Sequence, residues 1–165
     1  DVIEYQDEKS IMTNLTFYWK AFASMASGET AARRIAKMVA IEKANQAAQE
    51  TYGTRCKALI ETISSRADDF TRTIKVGEMS LDKIRGLLEE YGQFKKEEKI
   101  RLNDEKNAVS AALASIQTKM KSSGRPPFEP AGDQSMPVLE EMWLLLCLQG
   151  HAYEDMLQKL LEETK

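Results

Sequence analysis

Apolar residues recur at alternating steps of four and three along three stretches of the chain. The pattern is most regular in the last stretch, where the seam consists of Leu139, Trp143, Leu146, Gly150, Tyr153, Leu157 and Leu160. Steps of four and three keep side chains on one face of a helix that lies along other helices. The pattern therefore predicts an all-α chain whose long helices fold back on one another.

The helices of this bundle can be placed approximately from the same pattern. We predict helices at about 46–74, 80–121 and 135–165, with Ser80 as the N-cap of the second. The predicted bundle core consists of Tyr52, Leu59, Ile63, Leu102, Val109, Ile116, Leu139, Trp143, Leu146 and Tyr153. The segment 124–132 holds three prolines and two glycines, which predicts a loop, and Phe128 is expected to pack that loop onto the bundle.

The part of the chain before the bundle also has helical spacing. Ile11, Leu15, Tyr18 and Phe22 fall on one face of a short helix. The stretch from Ser24 to Gly28 is expected to loosen the chain, and a second helix then begins near residue 29 and continues into the bundle.

The predicted helix lengths indicate an uncovered end of the bundle. At 1.5 Å per residue the helix that runs from about 29 to 74 and the helix at 80–121 would each reach roughly 60–70 Å, and the last helix would reach about 45 Å. The hairpin end farthest from the loop would then lack its third wall and expose apolar seam. The residues expected to support self-association there are Phe70, Ile74, Leu81, Ile84 and Leu88.

Composition excludes several classes of function. The 165 residues carry a net charge of −3, which argues against sequence-independent nucleic-acid binding. The longest uninterrupted apolar run, Met142 to Leu148, is far shorter than the roughly 20 residues that cross a bilayer. Cys56 and Cys147 lack metal-site spacing, which is typical of reduced thiols in a cytosolic protein. Because the chain begins at Asp1 without a methionine or leader, we expect a segment of a longer protein.

No arrangement of residues predicts catalysis, and we expect neither an enzyme nor a cofactor in this segment. His151 with Glu154 and Asp155 supplies too few ligands for a metal, because a site needs three or four. The acidic pairs at 97–98 and 140–141 are expected to be solvated helical faces. A modest basic group at Arg33, Arg34, Lys37 and Lys43 is interrupted by glutamates, so membrane binding is a minor expectation.

Several segments, taken in order, resemble the α-actinins from the end of the second calponin-homology domain through the neck to the first spectrin repeat. Residues 7–22 resemble the last calponin-homology helix, and residues 29–37 resemble the neck. Residues 113–120 and 125–130, with Trp143, are similar to the end of the second repeat helix, the following loop and the tryptophan of the third helix. The resemblance divides the chain into three segments. Residues 1–23 would be the last helix of the second calponin-homology domain, residues 24–45 the neck that continues into the first repeat helix, and residues 46–165 the spectrin repeat.

This resemblance implies a three-helix spectrin-repeat coiled coil behind a helical neck, in a protein of the cytoplasmic actin cytoskeleton. α-Actinins are antiparallel homodimers that bind F-actin through calponin-homology domains and carry calmodulin-like EF-hands, through which the whole protein would bind calcium. The segment would be the spacer and dimer surface between actin-binding ends. By position, the neck residues that the calmodulin-like domain of the opposite subunit would grip are Ile35, Met38, Val39 and Ile41.

The chain departs from the family pattern at two places, which marks a divergent member. Thr62 stands where the family tends to have a tryptophan, and Glu97-Glu98 stand where vertebrate members carry a proline pair. The rival from another class is a BAR-like or trafficking scaffold at membranes. It would need a basic concave face, which the sequence pI of about 5.4 disfavours.

Overall fold

The chain is helical over most of its length in a computed structural model that describes residues 8–71 and 79–163. Its elements are α1 (Glu8–Asp69), α2 (Leu81–Lys96), α3 (Glu98–Ser122), a 3-10 turn (Gly132–Gln134) and α4 (Met136–Glu163). The described ranges contain no strand, which confirms the all-α prediction. The chain divides into two compact units, Asp1–Ala44 and Asn45–Lys165.

The first unit consists of the first part of α1 in the described residues. Every residue from Ile11 to Ala44 is exposed. The expected loosening between Ser24 and Gly28 is wrong, because α1 is helical throughout this stretch. A lone glycine costs a helix only about 1 kcal/mol relative to alanine, and the neighbouring alanines favour helix enough to offset that cost.

The second unit is a three-helix bundle of the predicted spectrin type, in which α2 and α3 together form the middle helix. Its larger core lies among α1, α3 and α4. The buried residues of this core are Tyr52, Cys56, Leu59, Ile63, Ala67, Leu102, Val109, Ile116, Leu139 and Leu146. Most of them come from the seams that the steps of four and three predict.

A smaller core lies between α2 and α4, at the end of the bundle that was expected to be uncovered. Ile84 is 2% exposed and packs with Leu157 and Leu160. Leu88 packs against the same cluster. The expectation of an exposed seam is therefore wrong at Ile84, and Ile74 lies outside the described residues. Phe70 and Leu81 are half-buried.

The loop before α4 explains why the last helix reaches that far end. Phe128 stacks edge-on against Tyr52, with ring centroids 5.9 Å apart. The Gln117 side chain accepts a hydrogen bond from the Phe128 N–H at 3.0 Å and donates one to its carbonyl at 2.6 Å. The Tyr52 hydroxyl donates to the Gln134 carbonyl at 3.0 Å. The loop thus forms the third wall at the near end, as predicted for Phe128, and α4 covers the other end.

The middle helix is broken at Glu97, although an unbroken helix was expected from 80 to 121. Its buried residues step by seven from Ile84 to Tyr91, by eleven to Leu102, and by seven again to Val109 and Ile116. An eleven-residue step shifts the phase of a heptad seam and unwinds it locally. The break therefore lies inside the one irregular step, and it forms without a proline or glycine at Glu97.

Aromatic side chains fill the bundle beside this break. Phe70 contacts Tyr91, Phe94 and Tyr153, with centroid separations of 5.2, 5.0 and 5.4 Å. Gly150 lies directly beneath Tyr91, since a Cβ there would come within 2.5 Å of the tyrosine hydroxyl. A ring is thus accommodated where α4 has no side chain.

Candidate partner-binding surface

The four neck residues singled out from the sequence all lie exposed on α1. Ile35 and Met38 are 64% and 63% exposed, and Val39 and Ile41 are 49% and 42% exposed. At 100° per residue the four side chains fall within an arc of roughly 160°. They form an apolar strip on a single helix, which we call the neck strip. Such a strip suits a groove that binds an amphipathic helix.

More apolar side chains are exposed earlier on the same helix. They are Ile11, Met12, Leu15, Phe17, Tyr18, Trp19, Phe22 and Met25, each at least 42% exposed. An apolar surface of this size is uncommon on a protein that acts alone. The first part of α1 therefore presents an apolar surface that is suited to burial in a contact with another protein surface.

Charged side chains share this part of α1 with the neck strip. Arg33 forms an exposed ion pair with Glu29 at 2.7 Å, one turn earlier. Arg34 lines a shallow depression together with Ile35 and Ala31. The basic group is thus partly neutralised on its own helix, which weakens any attraction to an anionic surface.

The predicted bundle core divides into buried and half-buried residues. Eight of the ten are at most 5% exposed, and these are Tyr52, Leu59, Ile63, Leu102, Val109, Ile116, Leu139 and Leu146. Trp143 is half-buried and packs against the core, with the Lys106 ammonium 5.8 Å from its ring centre. Tyr153 is also half-buried and joins the aromatic group around Phe70.

Ion pairs between helices connect the exterior of the bundle. Arg55 donates two hydrogen bonds to Glu105 on α3, at 3.0 and 2.7 Å. Further pairs among the described residues are Arg66–Glu98 at 2.6 Å, Lys95–Glu154 at 2.6 Å, Lys106–Glu140 at 2.9 Å and Lys57–Asp133 at 3.4 Å. Each exposed pair contributes at most about 1 kcal/mol to the free energy of unfolding. The pairs therefore affect which helix faces contact each other more than they affect stability.

Burial changes the acid–base behaviour of three core side chains. Burial raises the pKa of Tyr91 to about 12, and the nearby Glu154 carboxylate adds to the effect. Burial also raises the pKa of Tyr52, with a smaller contribution from its hydrogen bond to Cys56. The pKa of the Cys56 thiol is raised by burial as well. A buried thiol of this kind is a poor nucleophile.

Three of the four residues in the acidic pairs considered from the sequence are exposed, and Glu98 is half-buried. Glu98 accepts from Arg66 across helices, and Glu140 accepts from Lys106. In the part of the chain that the structure describes, no three His, Cys, Asp or Glu side chains are grouped as they would be around a metal. None of the described helices is long and apolar enough to cross a membrane.

Two features escaped the sequence reasoning. Asn45 is 7% exposed, and its Nδ2 has no hydrogen-bond partner among the described residues. It precedes Tyr52 by seven residues, so its seam position was detectable. Leu144 and Leu148 are each 59% exposed. They lie in the apolar run from Met142 to Leu148, on the face of α4 opposite the seam of Leu139, Trp143 and Leu146, so the seam spacing carried a signal for their exposure.

Comparison with known proteins finds relatives that align with most of the chain. No protein-family profile matches the sequence. It is 30% identical over 151 residues to bovine α-actinin-3, a match that covers 92% of this chain and 16% of that protein. Rat α-actinin-1 is 29% identical over 156 residues, with 92% of this chain and 17% of the relative covered. Bovine α-actinin-4 is 28% identical over 156 residues, covering 92% and 16%. The chain thus spans about a sixth of the length of these relatives.

Proposed function

We propose that this chain is the neck and first rod repeat of an actin-filament cross-linking protein. The matches show it to be a divergent α-actinin-like region. In this role the bundle is a spacer between actin-binding ends and contributes to an antiparallel homodimer. F-actin would be bound by calponin-homology domains, and residues 1–23 would belong to the end of the second of these domains. The protein would act in the cytoplasmic actin cytoskeleton.

The spacer role is supported by how the second unit is built. Its two cores and its ion pairs between helices occupy the whole length of α4. The Cys56 thiol is buried and its pKa is raised, which makes it a poor nucleophile. These observations favour a structural role for the second unit.

The neck strip carries the second part of the proposal. A calmodulin-like domain binds an amphipathic helix by enclosing widely spaced apolar anchors. Ile35, Met38, Val39 and Ile41 provide such anchors on a helix, and all four are exposed. We therefore assign the neck strip to the calmodulin-like domain of the opposite subunit. Any calcium dependence would then belong to that domain.

Titration calorimetry of the chain with a recombinant α-actinin calmodulin-like domain tests the neck assignment. We expect one-to-one binding that Met38→Glu weakens at least tenfold, because a buried carboxylate costs more than the apolar contact it replaces. Met25→Glu is the matched control, since Met25 is exposed on the same helix outside the strip. The assignment would be contradicted if both variants weakened binding equally, or if Met38→Glu bound the domain as tightly as the unaltered chain does.

The spacer role is tested by joining an actin-binding calponin-homology pair to the start of the chain in a dimeric rod. Low-speed sedimentation of filaments then reports cross-linking, and high-speed sedimentation reports binding. We expect Leu146→Asp to abolish cross-linking and to leave binding unchanged, because it places a charge in the core. Cross-linking that survives loss of the folded bundle would exclude a spacer role.

A further inference from the structure

A cavity lies beside the break in the middle helix, between α2 and the facing parts of α1 and α4. Its volume is about 480 Å³, which is in the range of sites that hold a small molecule. Its aromatic wall consists of Phe70, Phe94 and Tyr153, all half-buried, and its exposed rim carries Glu90 and Glu97. We call this space the break cavity.

The charged residues that line the break cavity are mostly acidic. One arginine, Arg66, stands against the four acids Asp69, Glu90, Glu97 and Glu98, which leaves a net formal charge of −3. Arg66 is held by Glu98 at 2.6 Å and by Asp69 at 3.3 Å, so its charge is neutralised locally. Glu90 and Glu97 form no ion pair with the residues that the structure describes. The rim therefore carries two carboxylates that can attract a cation.

The aromatic group behind the cavity already holds one cation of the chain itself. The Lys95 ammonium lies 5.0 Å from the centre of the Tyr91 ring and 2.6 Å from a carboxylate oxygen of Glu154. Tyr91 in turn stacks on Phe94, with ring centroids 5.9 Å apart. Aromatic rings attract a cation through their negative faces, and a carboxylate beside them adds to the attraction. The break cavity presents the same combination of rings and carboxylates to solvent.

We propose that the break cavity binds a small organic cation that carries a trimethylammonium group. Such a group offers methyl surface and a diffuse charge to the aromatic wall, whereas the ammonium of lysine is strongly hydrated. The acidic rim favours a free cation over a lipid headgroup, because Glu90 and Glu97 would repel the phosphate that a choline headgroup bears. The inference is independent of the proposed neck and spacer roles.

Nuclear magnetic resonance titration of the full 165-residue chain with choline tests the cavity. We expect saturable shifts of the ring resonances of Phe94 and Tyr153, with a dissociation constant on the order of 1 mM because the rim is open to solvent. The uncharged analogue of choline, in which carbon replaces the quaternary nitrogen, should bind about fivefold more weakly because it lacks the cation–π attraction. Phosphocholine should also bind more weakly than choline, because its phosphate meets the acidic rim.

Variants of the rim and the wall locate the binding. Glu90→Gln and Glu97→Gln should each weaken choline binding roughly threefold, because each removes one charge from a solvent-exposed rim. Phe94→Leu should weaken it about fivefold, because leucine keeps the apolar contact and removes the ring. Glu89→Gln is the matched control, since Glu89 is an exposed glutamate of α2 outside the cavity. It should bind choline as the unaltered chain does, and circular dichroism verifies that each variant is folded.

Several results would overturn the proposal. One is the absence of saturable shifts at choline concentrations roughly tenfold above the expected dissociation constant. Another is equal binding of choline and its uncharged analogue, which would make the cavity a site for apolar molecules. Equal weakening by Glu89→Gln and Glu97→Gln would reduce the effect to general attraction by an acidic surface. Phosphocholine that binds as tightly as choline would overturn the assignment to a free cation.

Discussion

The two parts of α1 contain similar apolar side chains in opposite environments. From Ile11 to Ala44 every residue is exposed, including the neck strip. From Asn45 onward the seam residues Cys56 and Ile63 are completely covered. The difference comes from neighbours, because α3 and α4 pack against the second part. Helical spacing reports which side chains share a face, and the packing around the helix decides whether that face is core or binding surface.

The largest contrast should come from matched truncations of buried and exposed residues. Leu139→Ala should lower the free energy of unfolding by about 3 kcal/mol, because it leaves a cavity in a closed core. Ile35→Ala should change it by less than about 0.5 kcal/mol. Urea unfolding followed by circular dichroism measures both. Similar losses would mean that the neck strip is buried in the folded chain.

Alkaline pH should destabilise the bundle through its buried tyrosines. The folded pKa of Tyr91, about 12, lies above its ordinary value of 10.0, because burial disfavours the phenolate. Stability is therefore fully present below pH 10 and is lost as pH rises toward 12. Thermal melting across this range should show the fall, and Tyr91→Phe should make it shallower. An identical slope in the variant would remove Tyr91 from the explanation.

Gly150→Ala should destabilise the bundle by about 1.5 kcal/mol. The added methyl would meet the Tyr91 hydroxyl, and that ring is held by Phe70 and Phe94. The control is Gly28→Ala, where a Cβ meets nothing within 4 Å and alanine favours the helix. Thermal melting of both variants checks the sign, and a stabilised Gly150→Ala would show that the aromatic group yields easily.

The smallest expected effect on stability comes from Asn45, at the position where the buried part of α1 begins. Asn45→Leu should stabilise the bundle by about 1 kcal/mol, because it replaces a buried amide whose Nδ2 has no partner among the described residues. Chemical denaturation measures the gain, with Asn103→Leu as a control at a half-buried site. A loss of stability would indicate that the amide is satisfied in solution.

Much of the bundle could be predicted because its seams are periodic. Tyr52, Val109 and Leu146 are buried where the steps of four and three place them. The break at Glu97 was missed, although the eleven-residue step from Tyr91 to Leu102 signalled it. The proline and glycine content of 124–132 marked a loop and favoured Phe128 as its anchor, which the stacking on Tyr52 bears out.

One aspect could not be read from periodicity. The position of α4 along the hairpin depends on the loop that occupies the near end, and loop packing leaves no repeating signal. That is why Ile84 was expected to be exposed and is instead covered by Leu157. The exposure of Leu144 and Leu148 is a different case, because both lie on the face of α4 opposite the seam, and the seam spacing therefore indicated it. The position of α4, in contrast, depends on contacts between distant parts of the chain.

Amide hydrogen exchange of the chain, measured with and without an α-actinin calmodulin-like domain, tests the contrast within α1 most directly. Alone, residues 45–69 should exchange slowly because the bundle protects them, and residues 11–41 should exchange fast because an unpacked helix opens readily. Adding the domain should slow exchange at 35–41 and leave the bundle unchanged. Equal protection along α1 in the isolated chain, or no added protection at the neck strip, would contradict this account.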